Sequence, residues 1–265
     1  MIQKTTLFDD FSHIEFNVTD KCNLNCIYCY LKDMDNTKHQ FHQMSKQIFD
    51  IFFDNSYQSL KKKKKIRISF WGGEPLCNFS IIRYIVNKIN TIDNLIVDYL
   101  IITNGTLITN NINNFCNKNN IHLQVSIDGN KNCHDTQRLS KSGDGTFDLI
   151  MNNIESLKRN NVPYHIKMTL TKKNSEIHEF INSQSGNNVF FGIVTPLLSK
   201  IQNSDISPVD SEKIVSNIFS IFKKDTRIKI KNIDGCLIRL MNKQSFDSCG
   251  AGICQIAINY DGLIY

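Results

Sequence analysis

Long apolar runs are missing from this chain of 265 residues. No stretch approaches the roughly 18 consecutive apolar residues of a membrane span, which argues against a membrane-embedded protein. The opening residues, Met1 to Asp10, hold no apolar core of the kind a secretory signal needs, and acids follow the lysine. A second close cysteine pair is missing as well. Of the nine cysteines, Cys77, Cys116, Cys133, Cys236, Cys249 and Cys254 are scattered. The paired knuckles that usually close a tetrahedral zinc site are therefore not formed. Without a secretory context these thiols read as ligands and buried side chains in a reducing, cytoplasmic setting, not as disulfides.

Aromatics are missing from the one strongly basic run, Lys61 to Lys65, which carries much of the net charge of +6. A lysine run without interleaved aromatics reads as a solvated segment, so nucleic-acid binding is not supported. Composition is otherwise that of a globular protein. With 41% hydrophobic and 21% charged residues, the chain can bury a sizeable core.

What is present is concentrated. Cys22-Asn-Leu-Asn-Cys26-Ile-Tyr-Cys29 places three thiols at CxxxCxxC spacing. Three thiolates can hold three corners of a 4Fe–4S cube. Electron-relay clusters take four cysteines, so three leave one iron open for an exchangeable ligand, as an enzyme requires. Zinc and unrelated thiols are the rival readings on spacing alone.

Around this loop the apolar periodicity alternates between strand and helix. Strand patterns cover His13–Val18, Ile66–Trp71, Val97–Ile102, His122–Ile127, Tyr164–Leu170 and Val189–Val194. Helical spacing follows Ser45, begins again near Phe79, near Asn110 and at Phe147, then from about Ser175 and from Ser211. Strand-then-helix units of this kind predict an α/β fold with a parallel sheet and outer helices, doubly wound or curled as a barrel. In either arrangement, active residues gather at the C-terminal ends of the strands. The cysteine loop, Gly72-Gly73-Glu74, Thr103-Asn104-Gly105 and Ser126-Ile-Asp128-Gly129 each follow a predicted strand, so the four motifs are expected to share one mouth. Past about Lys224 the alternation stops, and Gln255–Tyr265 reads as a hairpin turning at Tyr260-Asp261-Gly262-Leu263.

The cysteine motif with Tyr28 before its last thiol, followed by Phe70-Trp71-Gly72-Gly73-Glu74-Pro75, resembles the radical S-adenosylmethionine (SAM) enzymes. Ser126–Gly129 and His134–Arg138 are similar to the branch containing anaerobic sulfatase-maturing enzymes and peptide maturases with a SPASM domain. The resemblance spans about residues 13–265. It implies a partial (β/α)6 TIM-like radical SAM barrel over 1–225 and the start of a SPASM- or twitch-like hairpin in 226–265.

By the same resemblance, Cys22, Cys26 and Cys29 hold the 4Fe–4S cluster, whose open iron chelates SAM. Gly72 and Gly73 let backbone approach the bound methionine, and Glu74 accepts a hydrogen bond from its ammonium group. Ser126 and Arg138 match positions near the ribose or carboxylate, the arginine fork suiting a carboxylate. Asn104 is a further cofactor-side candidate, and Tyr28 is expected to pack beside cluster and adenine. Asp128, His134 and Asp135 either order their loop or touch substrate. Cys249 and Gly262 fit the first part of the SPASM pattern, making Cys249 a candidate ligand of an auxiliary 4Fe–4S cluster; the next cysteine would fall about two residues beyond Tyr265.

The implied activity is reductive cleavage of SAM to a 5′-deoxyadenosyl radical that abstracts hydrogen from a peptide or protein side chain, giving formylglycine or a thioether, for example. A reductant such as flavodoxin or ferredoxin is implied as a partner. With about a dozen residues before the first strand, no N-terminal leader-binding domain is expected. The alternatives are a non-catalytic fragment that binds cluster and SAM, and a radical SAM enzyme with a small-molecule substrate of the molybdenum-cofactor type.

Overall fold

The computed structural model describes residues 11–29, 31, 40–171, 180, 188–193, 229–230 and 254–265. The helices expected from Ser175 and from Ser211, and Cys236 and Cys249, lie outside the described residues. The remaining pattern appears in the expected order: β1 (His13–Thr19), α1 (Lys46–Lys62), β2 (Lys65–Gly72), α2 (Phe79–Ile89), β3 (Ile96–Thr103), α3 (Asn110–Lys118) and β4 (His122–Ser126). A short α4 (Lys131–Asp135) and α5 (Phe147–Arg159) precede β5 (Tyr164–Leu170), β6 (Asn188–Ile193), β7 (Lys229–Ile230) and β8 (Gln255–Ile258).

All seven strand pairings are parallel, and the sheet order is β7-β6-β5-β4-β3-β2-β1-β8. From β1 to β6 each strand lies beside its predecessor, so every crossover steps the same way. A doubly wound sheet would reverse direction at a switch point. The sequential order is that of a partial barrel.

The period of two along each strand sorts the sides. In β1, Ile14, Phe16 and Val18 are buried and meet the phenylalanines of α1: the Phe16 ring lies 5.7 Å from Phe49 and 5.3 Å from Phe52. Each such fully buried side chain contributes about 2 kcal/mol of hydrophobic stabilisation. Ile66, Ile68 and Phe70 of β2, and Leu123 and Val125 of β4, continue this layer. The alternate set, His13, Glu15 and Asn17 in β1 and His165, Lys167 and Thr169 in β5, points to the other side. There His13 Nε2 lies 2.8 Å from Ser69 Oγ and His165 Nε2 2.9 Å from Gln124 Oε1. The concave face of this sheet is polar.

Capping explains the helix starts. The Ser45 hydroxyl accepts from the Ile48 N–H at 3.2 Å, and Thr109 caps α3 through Ile112. The lysine run falls where α1 ends and β2 begins: Lys61 and Lys62 occupy the last turn of α1, favourable for the helix dipole, and Lys65 pairs with Asp98 at 2.9 Å. It is a helix end followed by a strand start.

The C-terminal hairpin forms, with one addition that the sequence pattern did not show. Ala257 and Tyr265 exchange backbone hydrogen bonds of 3.0 and 2.9 Å, and Gly262, at φ +86°, closes the turn. The first arm, β8, also pairs in parallel with β1 from His13↔Gln255 to Phe16↔Ile258. It is an edge strand of the barrel sheet. No helix among the described residues is long and apolar enough to cross a membrane.

Candidate active site

The loop after β1 carries the three cysteines, and its shape is imposed from both sides. Behind it, the Gly73 N–H donates to Thr19 O at 2.8 Å and the Glu74 N–H to Lys21 O at 2.9 Å. In front, the N–H groups of Asn25 and Ile27 donate to Leu139 O and Gln137 O at 2.8 and 2.9 Å. The cysteine loop is thus a strip held between the β2 exit and the 137–140 segment. A Cβ on Gly72 would stand 2.1 Å from Thr19 O, and one on Gly73 would stand 2.5 Å from Asp20 O. Both glycines are required by this chain-on-chain approach. The space a Cβ would fill belongs to residues 19–21, and both glycines also line the cavity enclosed by this loop.

Glu74 follows the two glycines in the same turn. Its side chain is wholly buried. One carboxylate oxygen accepts from the Leu76 N–H at 3.0 Å and the Thr103 hydroxyl at 2.8 Å, the other from the Asn104 N–H at 2.6 Å. Burial pushes its carboxyl up to about 7 against these three donors. The carboxylate points into the protein, bracing β2 against β3, and is not among the groups that line the cavity.

Asn104 is turned toward the cysteine loop by that brace. Its amide donates to Asn23 Oδ1 at 2.9 Å and approaches Cys22 Sγ at 3.9 Å, while its oxygen accepts from the Thr106 N–H and hydroxyl. The Leu24 N–H also points at Cys22 Sγ, at 3.4 Å. Burial pushes the Cys22 thiol up to about 12, with the Leu24 hydrogen bond opposing. Ionising it as a ligand therefore calls for a strong positive charge, such as iron.

At the end of β4, Asp128 gathers the other wall. It is fully buried and accepts from the Tyr28 hydroxyl, from Arg138 Nε at 2.8 Å and from the Thr169 N–H at 2.9 Å. The Arg138 guanidinium lies over the Tyr28 ring at 5.4 Å and reaches Thr169 Oγ1 at 3.5 Å. Burial works against the charge on Arg138, but Asp128 and Tyr28 raise its pKa above the usual arginine range and keep it protonated. Burial likewise raises the Tyr28 hydroxyl well above its ordinary value, so it stays a donor.

His134 and Asp135 order the loop. His134 Nδ1 accepts from the Asp128 N–H at 3.2 Å, so its proton sits on Nε2, 3.0 Å from Thr146 Oγ1; that hydroxyl donates to Arg138 O at 2.8 Å. Burial, with Arg138 adding, pushes His134 down to about 4. Asp135 accepts from the N–H groups of Thr146 and Phe147 at 2.8 and 2.9 Å, fixing the start of α5.

These walls enclose a cavity of about 230 Å³. Cys22, Cys26, Cys29, Tyr28, Gly72, Gly73, Asn104, Ser126 and Arg138 all line it. Of the candidates read from the sequence and lying among the described residues, Glu74, Asp128, His134 and Asp135 are not among the groups that line it. Three features were not read from the sequence. The carbonyls of Gln137 and Leu139 hold the cysteine loop through backbone alone, so no side-chain pattern betrays them. Lys167 and Thr169 of β5 also line the cavity; a lysine alternating with the buried Ile166 and Met168 was the available signal. Asp20 and His42 pair at 2.9 Å behind the loop, too far apart in sequence to be seen as a unit.

Thiols, glycine turns and a buried arginine around one cavity at the strand ends define a cluster-and-cofactor pocket on a partial barrel. Comparison with known proteins gives it a family. The pattern of the Radical SAM superfamily matches residues 16–184, and the chain belongs to that superfamily. Radical SAM enzymes carry a 4Fe–4S cluster and SAM. The cysteine-type anaerobic sulfatase-maturating enzyme of Clostridium novyi (strain NT) is 29% identical over 269 residues, covering 93% of this chain and 70% of that enzyme. The serine-type enzyme of Bacteroides thetaiotaomicron is 32% identical over 164 residues, covering 58% of this chain and 38% of its own length. The fold matches the structure of native anSMEcpe with bound AdoMet and Cp18Cys peptide at a TM-score of 0.83 and 23% identity, over 96% of this chain and 73% of that one.

Proposed function

We propose that the chain cleaves SAM reductively and turns the resulting radical on a carbon of a peptide or protein side chain. A single observation supports this most directly: the three thiols of Cys22, Cys26 and Cys29 share one cavity with Gly72, Gly73, Asn104, Ser126 and Arg138. Among the described residues no three Cys, His, Asp or Glu side chains converge on a single-ion position, and a cube asks for thiolates on separate irons. When bound, the cluster supplies one electron to the SAM sulfonium, releasing methionine and the 5′-deoxyadenosyl radical that takes the substrate hydrogen.

The chain's own residues hold and shape. Cys22, Cys26 and Cys29 ligate three irons, and the N–H groups aimed at Cys22 temper its charge. Tyr28, Asp128 and Arg138 form a wall held together by the bonds Asp128 accepts from Tyr28, Arg138 and Thr169. Ser126 offers its hydroxyl to the ribose side. Glu74 keeps Asn104 and the glycine turn in register. A peptide or protein substrate fits the kinship to sulfatase-maturating enzymes. Both cysteine-type and serine-type enzymes are similar to this chain, so the residue oxidised is left open. The electron comes from a small donor such as flavodoxin or ferredoxin, in a cytoplasmic setting.

The test is anaerobic reconstitution with iron and sulfide, followed by SAM and dithionite. Formation of 5′-deoxyadenosine and methionine in equal amounts is expected. Protein loaded with about four irons that yields neither above background would overturn the reading and leave a cluster-binding fragment.

A further inference from the structure

The barrel holds a second cavity at the end away from the cysteine loop. It measures about 440 Å³, and its wall includes Arg67, Asp98, Asn120, His122, Gln124 and His165. None of its lining residues lines the cofactor cavity. Arg67, Asp98, His122, Gln124 and His165 each fall within the first three residues of β2, β3, β4 or β5. That end of a barrel ordinarily serves stability rather than chemistry. Here it is polar. His165 and Gln124 are buried. With Gln124 Oε1 accepting from His165 Nε2 at 2.9 Å, the Nδ1 of His165 accepts from His122 Nε2 at 2.7 Å. A cavity floored by such a file of imidazoles and an amide suits a polar guest, not an apolar one.

The charges decide the sign of that guest. Asp98 is the register partner of Arg67 across the β2–β3 pair, yet its carboxylate is taken by Lys65 at 2.9 Å. Among the described residues the Arg67 guanidinium makes no hydrogen bond and has no carboxylate within 4.0 Å. Lys65, Asp98 and Arg67 together therefore carry a surplus positive charge. No three Cys, His, Asp or Glu side chains converge on a metal position among the described residues, and Arg67 would repel a cation entering here. We propose that this cavity binds a small oxyanion, a phosphate or carboxylate group gripped by Arg67 over the His122–His165–Gln124 floor. The planar fork of an arginine meets either group with two parallel hydrogen bonds. The site is separate from the cofactor cavity and stands whether or not SAM is cleaved there.

Isothermal titration calorimetry on cluster-loaded protein, at fixed ionic strength, tests this. The probes are inorganic phosphate and citrate, each titrated with and without SAM. Saturable binding of at least one probe is expected, unchanged by SAM, and the tighter probe identifies the group preferred. Arg67→Gln should weaken it about tenfold or more, the size of a lost charged hydrogen bond. Its melting temperature should match wild type, since the side chain has no bonded partner to lose. Lys62→Gln removes the same charge from the exposed last turn of α1 and should leave affinity unchanged. Asp98→Asn removes the carboxylate that competes for Arg67 and should tighten binding several-fold. In the same titration the ring nitrogen resonances of His122 and His165 should shift while those of His134 stay in place. Absence of saturable binding by either probe would overturn the proposal. So would equal weakening by Arg67→Gln and Lys62→Gln, displacement of the probe by SAM, or unmoved resonances at both His122 and His165.

Discussion

Glu74 accepts the backbone N–H of Asn104 at 2.6 Å, so the acid at one strand end is bonded to the first residue past the next strand. Replacing Glu74 with Ala would leave three donors, from Asn104, Leu76 and Thr103, without an acceptor in a fully buried place. Each unsatisfied group costs about 1–3 kcal/mol. Glu74→Ala should therefore lower the urea midpoint of the apoprotein markedly and reduce the iron retained on reconstitution. A midpoint equal to wild type would show that the brace is not structural.

The same carboxyl predicts a pH effect. Its folded pKa, about 7, stands above the ordinary 4.5 because burial disfavours its charge. Between those values the folded chain holds a proton that the unfolded chain has released. The contribution is full below pH 4.5 and is lost as pH rises through about 7. Stability measured from pH 5 to 8 should fall by about 3 kcal/mol from this group, and the difference between wild type and Glu74→Gln isolates it from other titrations. A difference that does not change across this range would exclude it.

Gly72→Ala tests the chain-on-chain approach. The new methyl would stand 2.1 Å from Thr19 O at a backbone φ of +143°, which L side chains rarely adopt. The strain falls on the junction of β1 with the cysteine loop, not on the layer of Phe16, Phe49 and Phe70. Iron incorporation, followed by visible absorbance, should drop several-fold while far-ultraviolet circular dichroism keeps its shape. Normal iron content in Gly72→Ala would mean that the loop is held elsewhere.

What the sequence disclosed and what it hid follow from the kind of interaction involved. The strands of the first five units and the helices of the first four were legible because patterns such as Ile14-Phe16-Val18 and Phe49-Phe52-Phe53 repeat at periods tied to burial. The cysteine loop was legible because ligand spacing is local. The bonding of Glu74 was hidden because its partners, Thr103 and Asn104, lie about 30 residues on, and a carboxylate turned inward leaves the same letters as one turned outward. Lys167 was overlooked because one polar residue in a strand acquires meaning only when the register sets it beside Ser126. The parallel pairing of β8 with β1 joins the two ends of the chain, which no local pattern records.

His134 predicts the opposite pH dependence to Glu74. Burial holds its pKa down at about 4, below the ordinary 6.5, so on acidification the unfolded chain takes up a proton that the folded chain refuses. The stabilisation is present above pH 6.5 and is lost as pH falls toward 4, by about 3 kcal/mol. His134→Gln keeps a donor toward Thr146 but cannot titrate. It should be less stable than wild type at pH 7.5, and the gap should close on acidification. Parallel stability curves for the two proteins from pH 7.5 to 4.5 would refute this account of His134.

Asn104 supplies a prediction about the cluster itself. Its amide approaches Cys22 Sγ at 3.9 Å, with the Leu24 N–H at 3.4 Å on the same sulfur. Hydrogen bonds to cluster sulfur draw off electron density and raise the reduction potential. Asn104→Ala removes one of the two donors and leaves the Leu24 N–H in place. If that bond differs by about 1 kcal/mol between oxidation states, the potential should fall by on the order of 40 mV for one electron. The Ala variant also loses the bond to Asn23 Oδ1, so Asn23→Ala, which keeps the amide near Cys22, is the control for loop loosening. Redox titration followed by electron paramagnetic resonance reads both. A shift in Asn104→Ala that Asn23→Ala does not share assigns the effect to the N–H···S contact. Equal shifts in the two variants would place it in the loop, and no shift in either would remove Asn104 from the electronics of the site.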